Sequence, residues 1–190
     1  MSTQVVIIPI QQAKPGIVAK CQEIKHLLEE QGIRVKFDDS DRTPGWKFSE
    51  YEMKGVPLRI ELGPRDLEKN QVVLCKRNDG TKEICSIDDI EKEVKNKLEQ
   101  IHNEMYQKAL DQLLHSVTEV HTYDELKEVV NVKGGYAKMM WCGDEACENK
   151  IKEDTNATSR CMPFDQRPFG DTCPICGKKA TKVVLFAKAY

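Results

Sequence analysis

Hydrophobic positions change period several times along this chain, and each period predicts an element. Val5-Val6-Ile7-Ile8-Pro9-Ile10 is an unbroken, largely β-branched run, as expected of a strand buried on both faces. Pro15-Gly16 opens a three-to-four-residue period through Ile17, Cys21, Ile24, Leu27 and Leu28. That spacing predicts a helix, which Gly32 stops. Residues 33–37 predict a short strand directly after it. The order strand, helix, strand predicts an α/β unit with a parallel pair.

Beyond the polar stretch 38–45, residues 46–54 predict a short helix that ends at Gly55. Leu58-Arg59-Ile60-Glu61-Leu62 alternates apolar with charged side chains, which predicts a strand with two chemically different faces. Residues 71–77 and 81–86 flank Asn78-Asp79-Gly80, whose glycine tolerates positive φ, so they predict a hairpin. Five strands result. Ile87, Ile90, Val94, Leu98, Ile101, Met105, Ala109 and Leu113 then recur at helical spacing, marking a long amphipathic helix that leads into a second domain. The same spacing fits a coiled coil, although the run is short and lacks sustained complementary charges. Residues 123–130 predict another short helix, closed by Gly134-Gly135. There is no internal repeat or low-complexity segment.

The 190 residues accommodate one domain or two small ones. With 39% hydrophobic and 32% charged residues the chain can bury a core beneath a solvated surface. No run approaches the roughly 18 apolar residues of a membrane span, and no basic region precedes Val5, so a cytoplasmic location is expected, with no membrane partner. A net charge of −2 excludes a general polyelectrolyte binder of DNA, yet the charge is unevenly spread. Residues 42–82 carry nine Lys or Arg against six Asp or Glu, whereas residues 83–130 carry five against twelve. A local basic surface is therefore expected in the first half.

Eight cysteines in a reducing compartment suit metal ligands and buried thiols better than disulfides. Cys142 and Cys147 form C-x4-C, Cys173 and Cys176 form C-x2-C, and twenty-five residues separate the pairs. This pattern predicts one tetrahedral zinc ion with four thiolate ligands, iron being the lesser alternative. With no open coordination position, the ion would be structural. Cys21, Cys75 and Cys85 fall on apolar faces and Cys161 in a loop, so these four are expected to be small buried side chains rather than ligands.

Thr43-Pro44-Gly45-Trp46-Lys47-Phe48 and the run from Glu52-Met53-Lys54-Gly55-Val56-Pro57 through Leu58-Arg59-Ile60-Glu61-Leu62-Gly63-Pro64-Arg65-Asp66-Leu67 resemble the anticodon-binding domain of prolyl-tRNA synthetases of the archaeal and eukaryotic type. The resemblance extends back to Gln4-Val5-Val6-Ile7-Ile8-Pro9. It also runs forward through the cysteine pairs, Arg160-Cys161-Met162-Pro163-Phe164 and the terminal Tyr190. It implies a five-stranded mixed sheet with helices over residues 1–105, a connecting helix over 106–118, and a small α+β zinc-binding domain over 119–190.

The resemblance further implies recognition of proline tRNA through its two anticodon guanines. Carried over by motif, Glu52 and Arg59 are the candidate readers, with Lys82 a third. A carboxylate accepts from a guanine's Watson–Crick edge and a guanidinium donates to O6 and N7. Phe48 and Trp46 offer stacking surfaces, each with an ordinary core role as the alternative. For Glu52 and Arg59 the alternative is a surface ion pair. Gly63-Pro64-Arg65-Asp66 reads equally as a turn with a charged tip and as a tRNA contact.

Neither the F-R-x-E nor the G-x-G-x-x-R type motif with which class II synthetases hold ATP occurs here, and no other catalytic constellation does. ATP, Mg and homodimerisation are therefore expected only of an absent catalytic domain, and the chain alone should not aminoacylate. A core strand so close to Met1 suggests a piece cut at a domain boundary; a free-standing RNA-binding adaptor with a structural zinc site is the alternative. The terminal Tyr190 resembles an end expected near the catalytic site of a whole enzyme, with no partner in a fragment.

Overall fold

The run Val5–Pro9 forms β1, an interior strand of a sheet in which all five of its residues are buried. This computed structural model describes residues 2–189; Met1 and Tyr190, with the start and the terminal role considered for them, lie outside the described residues. The chain divides into two compact units, Met1–Gln107 and Lys108–Tyr190.

In the first unit, β1 pairs in parallel with β2 (Val35–Phe37) on one side and with β3 (Leu58–Leu62) on the other. Antiparallel β4 (Gln71–Lys76) and β5 (Lys82–Ser86) complete the order β2-β1-β3-β4-β5. This is the expected five-stranded mixed sheet. Helix α1 (Ile17–Glu30) joins β1 to β2, α2 (Pro44–Met53) joins β2 to β3, and α3 (Pro64–Glu68) precedes β4. Helix α4 spans Ile90–His115.

One face of the sheet presents Val5, Ile7, Leu58, Ile60, Leu62, Val72 and Leu74 to Ile17, Cys21, Ile24 and Leu28 of α1 and to Ile90, Val94 and Ile101 of α4. Each such side chain contributes roughly 1.5–3 kcal/mol through burial. The opposite face packs Val6 and Ile8 against Tyr51 and Val56. Beneath α2, Lys47 Nζ donates to the Asp38 carbonyl at 2.9 Å and lies 3.6 Å from Asp38 Oδ1, while Tyr51 donates its hydroxyl to Asp38 Oδ2 at 3.0 Å. These buried polar contacts tie the end of β2 to the inner face of α2 and fix how the helix sits on the sheet.

Several boundaries differ from the sequence pattern. Residue 33 is not strand: Gly32 and Ile33 donate their N–H groups to Glu29 and Leu28, closing α1, and β2 begins at Val35. Helix α2 begins at Pro44, where Thr43 Oγ1 accepts from Trp46 N and proline occupies a position whose N–H needs no partner. Gly63–Asp66 is the start of α3 rather than a plain turn; the Asp66 carboxylate accepts from Gly63 N at 3.1 Å and so caps it. The alternation in β3 does not mark a solvated face, because Arg59 and Glu61 are buried along with their apolar neighbours.

The second unit holds a four-stranded sheet, β6 (Val117–Glu119), β7 (Tyr136–Trp141), β9 (Lys182–Lys188) and β8 (Ala157–Cys161) in spatial order. Strands β6 and β7 are parallel and the other pairs antiparallel. Helix α5 (Tyr123–Glu128) starts from a capping box of Thr122 and Glu125, passes into a π-helical turn at Val129–Lys133, and is followed by Gly134. Helix α6 (Glu145–Thr155) packs Ile151 into a core with Met139, Met140, Val183, Val184 and Phe186. Where β8 no longer pairs with β9, the Gln166 amide takes its place, accepting from Val183 N at 2.8 Å and donating to Val183 O at 3.0 Å.

Cys21, Cys75 and Cys85 are buried as expected, whereas Cys161 is exposed at the end of β8 instead of buried in a loop. Among the described residues, no helix is long and apolar enough to cross a membrane.

Candidate functional site

Strand register assembles the first site. Arg59 of β3 lies opposite Cys75 of β4, and Cys75 opposite Lys82 of β5, so the three form one row across the sheet. Residues two apart on a strand share a face, which adds Glu61 beside Arg59. Helix α2 lies over this face and supplies Phe48 and Glu52, one turn apart on the same flank. Ile84 on β5 remains 70% exposed, so this edge of the face is open.

The contacts converge on Arg59. Its Nη1 donates to Glu52 Oε1 at 3.1 Å, Nε to Glu61 Oε1 at 3.0 Å and Nη2 to Cys75 Sγ at 3.3 Å. The Phe48 ring covers the guanidinium plane with 4.0 Å from Cζ to the centroid, a cation–π arrangement. Lys82 Nζ donates to both Glu61 oxygens at 3.0 and 3.1 Å and lies 5.6 Å from the Phe48 centroid. Arg77 Nε anchors the end of α2 by donating to the Glu52 carbonyl at 2.9 Å.

Glu52, Arg59 and Lys82, carried over by motif, and Phe48, one of the two stacking candidates, therefore stand together. The ion pair entertained as the plain alternative for Glu52 and Arg59 does form, but within a larger network of two cations and two carboxylates. Its members are unequally enclosed: the Arg59 and Glu61 side chains are 10% and 12% exposed, those of Glu52 and Lys82 58% and 50%. Trp46 stands apart, exposed, with the Arg42 guanidinium 5.1 Å from its ring. Asp66 is engaged in capping α3 and accepts from Gln71 Nε2 at 3.3 Å. Glu61 and Cys75 were not singled out from the sequence. The two-residue spacing of Arg59 and Glu61 was the available signal for the first; Cys75 gave none without the strand register.

The second site lies in the other unit. Cys142 follows β7, Cys147 is in the first turns of α6, and Cys173 and Cys176 flank a tight turn in which Gly177 N donates to Cys173 O at 2.9 Å. Gly143 and Gly177 have φ of 86° and 70°, the left-handed region glycine tolerates. The four sulfurs lie within 4.8 Å of one another, with Cys142 3.7 Å from both Cys147 and Cys176. That is far beyond a disulfide bond of about 2.05 Å. Ligands about 2.3 Å from a tetrahedral ion are separated by about 3.8 Å, so the donor set fits one ion. Burial raises the thiol pKa of Cys142 and Cys147, so a bound cation would have to displace their protons. Asp144 and Lys178, 3.2 Å apart, pin the two cysteine segments together.

Comparison with known proteins places both units in one class. Residues 4–97 match the family model for an anticodon binding domain, and residues 123–190 match the model for the prolyl-tRNA synthetase C-terminal domain. The chain is 51% identical over 191 residues to a proline–tRNA ligase of Clostridium botulinum (strain Loch Maree / Type A3), covering 99% of this chain and 39% of that protein. It is 48% identical over 190 residues to proline–tRNA ligase 2 of Bacillus thuringiensis subsp. konkukian (strain 97-27), covering 98% and 39%. It is also 48% identical over 189 residues to a proline–tRNA ligase of Agathobacter rectalis, covering 99% and 39%. The chain belongs to the prolyl-tRNA synthetase family and corresponds to its C-terminal region, spanning about 39% of the length of these relatives.

Proposed function

We propose that this chain is the tRNA-recognition part of a proline–tRNA ligase, with its first unit binding the anticodon of proline tRNA and its second held by one structural zinc ion. The observation that carries the reading is the convergence of Glu52 and Arg59 beside Phe48 and Lys82 within a matched anticodon-binding domain. Carboxylate and guanidinium offer complementary acceptor and donor groups to the two edges of guanine, and Phe48 supplies an aromatic surface for a base out of its stack. The whole enzyme would act in the cytoplasm as a homodimer and attach proline to tRNA using ATP and Mg. Those functions belong to a catalytic domain outside this chain, which alone would not aminoacylate. Its organisation is an anticodon-binding domain over 1–105, a connecting segment over 106–118 and a zinc domain over 119–190. Zinc suits the donor set because four thiolates in a tetrahedron leave no position open for water.

The test is binding of proline tRNA at low salt, comparing the native anticodon with one whose two guanines are replaced, for the unaltered chain and for Arg59→Ala. Loss of affinity on both changes supports the reading. Equal binding of both tRNAs would overturn it and favour an RNA-binding adaptor. Low salt matters because phosphate contacts, which carry no sequence information, weaken steeply with ionic strength.

A further inference from the structure

We propose that Glu61 is a positioning residue for anticodon reading: without touching RNA, its carboxylate holds Arg59 and Lys82 at the spacing and orientation in which they meet the two guanines. The inference rests on the proposed role of Arg59 and Lys82 and adds a residue to it.

Glu61 Oε1 accepts from both Arg59 Nε, at 3.0 Å, and Lys82 Nζ, at 3.0 Å, while Oε2 takes a second contact from Lys82 at 3.1 Å. It is the one carboxylate in the cluster that bonds both cations. It lies under the cluster on a central strand, enclosed by the sheet and by α2, whereas Glu52 stands at the open rim. A base arriving at the rim can therefore displace Glu52 from Arg59 Nη1 but cannot reach the Nε side. Once Glu52 has turned to a guanine edge, Glu61 is the remaining counter-charge for a buried guanidinium, which is costly to leave uncompensated. Fixing Nε also sets the rotation of the guanidinium, since its donors form a rigid planar fork. The third proton on Lys82 Nζ is left to point outward, away from the two bonds that Glu61 accepts.

Removing the charge alone makes the test specific. Glu61→Gln keeps size and one acceptor oxygen, but leaves Arg59 and Lys82 in one cross-strand row without their shared anion. The measured quantity is the ratio of affinities for proline tRNA with the native anticodon and with its guanines replaced, a ratio from which phosphate binding cancels. The ratio is expected to fall about tenfold or more in Glu61→Gln, in line with the loss of one member of an enclosed charge pair. The fall should be non-additive with Lys82→Met, because both changes act through one network. The Arg59 Nε–H resonance, protected by its bond to Glu61, should shift and exchange faster in the same variant. Glu61→Asp, which keeps the charge but withdraws it by one methylene, is the second variant should Glu61→Gln fail to fold; it too should lower the ratio.

A folded Glu61→Gln chain that discriminates as well as the unaltered chain overturns this inference and leaves anticodon reading by Arg59 standing. A chain whose unaltered form does not discriminate, and in which Arg59→Ala changes nothing, overturns both. A fall in stability with an unchanged ratio assigns Glu61 to folding alone and likewise overturns the inference.

Discussion

The Arg59 guanidinium lies 4.0 Å from the Phe48 ring centroid while its Nη1 donates to Glu52 Oε1 at 3.1 Å. Phe48 thus covers one side of the cation and limits the directions in which it can move. Phe48 also packs against Val6, Ile8, Tyr51 and Val56, so the same ring belongs to the small core under α2.

Phe48→Ala should therefore act twice. Losing a partly buried ring is expected to lower the stability of the first unit by about 2 kcal/mol, measured by urea denaturation. On the proposed reading, the affinity of proline tRNA should also fall by about tenfold through loss of a stacking surface. Phe48→Leu should restore much of the stability but not the binding. A leucine variant that binds as tightly as the unaltered chain would show that the ring serves packing alone.

Much of the first unit was legible because its signals are local and strong. The β-branched run at Val5–Pro9, the helical spacing through Leu28 and the Asn78-Asp79-Gly80 turn each identify an element without reference to the rest. The motif likewise named Glu52, Arg59 and Lys82, and Phe48 was one of two aromatic candidates beside them. What the pattern could not carry was the burial of Arg59 and Glu61, since alternation ordinarily signals a solvated face and only the covering α2 makes it otherwise. The strands of the second unit were also hidden. Strand β6 has three residues, and β8, Ala157–Cys161, is mostly polar, so neither shows a clear alternation; both are defined by their neighbours in the sheet. The four cysteines were legible because paired spacing of this kind points to metal ligation, and the fold brings their sulfurs together as that spacing predicts.

Gly135 has φ of 94°, and a Cβ built on it would lie 2.3 Å from the Ser116 carbonyl oxygen. Gly32 has φ of 77° with open space around it. Gly135→Ala should consequently destabilise the second unit by more than about 2 kcal/mol, combining backbone strain with a clash against main chain. Gly32→Ala should cost the first unit only about 1 kcal/mol, from conformation alone. Thermal or urea melts resolved by amide signals from each unit measure both. Equal costs at the two positions would mean that the Ser116 contact relaxes freely.

Metal removal should separate the two units. Cys142, Cys147, Cys173 and Cys176 bridge β7, α6 and the turn before β9, so a bound ion would tie together the segments that build the core of the second unit around Met139, Met140, Ile151 and Val183. Chelation is expected to broaden or shift the amide resonances from about residue 138 onward while leaving those of β1–β5 in place. Cys176→Ser should reproduce the effect at lower chelator concentration. Metal analysis of the purified chain should give one zinc per chain, and unchanged spectra after chelation would remove the structural role.

Acid should loosen the first unit through the hairpin that carries Lys82. At its tip Lys76, buried, lies 2.9 Å from Asp79 Oδ2 and 2.9 Å from Glu104 Oε2. The Thr81 N–H and the Lys76 ammonium hold the Asp79 carboxyl down to about 2. Hydrogen bonds from Lys76, Asn78 and Gln100 likewise lower that of Glu104. At Asp38, burial opposes ionisation, but hydrogen bonds from Ser40 and Tyr51 and the charge of Lys47 outweigh it and lower its pKa as well. Carboxylates with folded values below their unfolded ones of about 4 contribute stability that is complete above pH about 4. That contribution is lost as pH falls through the folded values toward about 2. The urea midpoint of the first unit should therefore be nearly constant from pH 7 to about 5 and fall between about pH 4 and 2. Glu104→Gln should lower the midpoint at neutral pH and make the acid decline shallower, because one of the carboxyls whose pKa falls on folding is gone. Parallel curves for the two chains would show that the Lys76–Glu104 contact does not contribute to stability in solution.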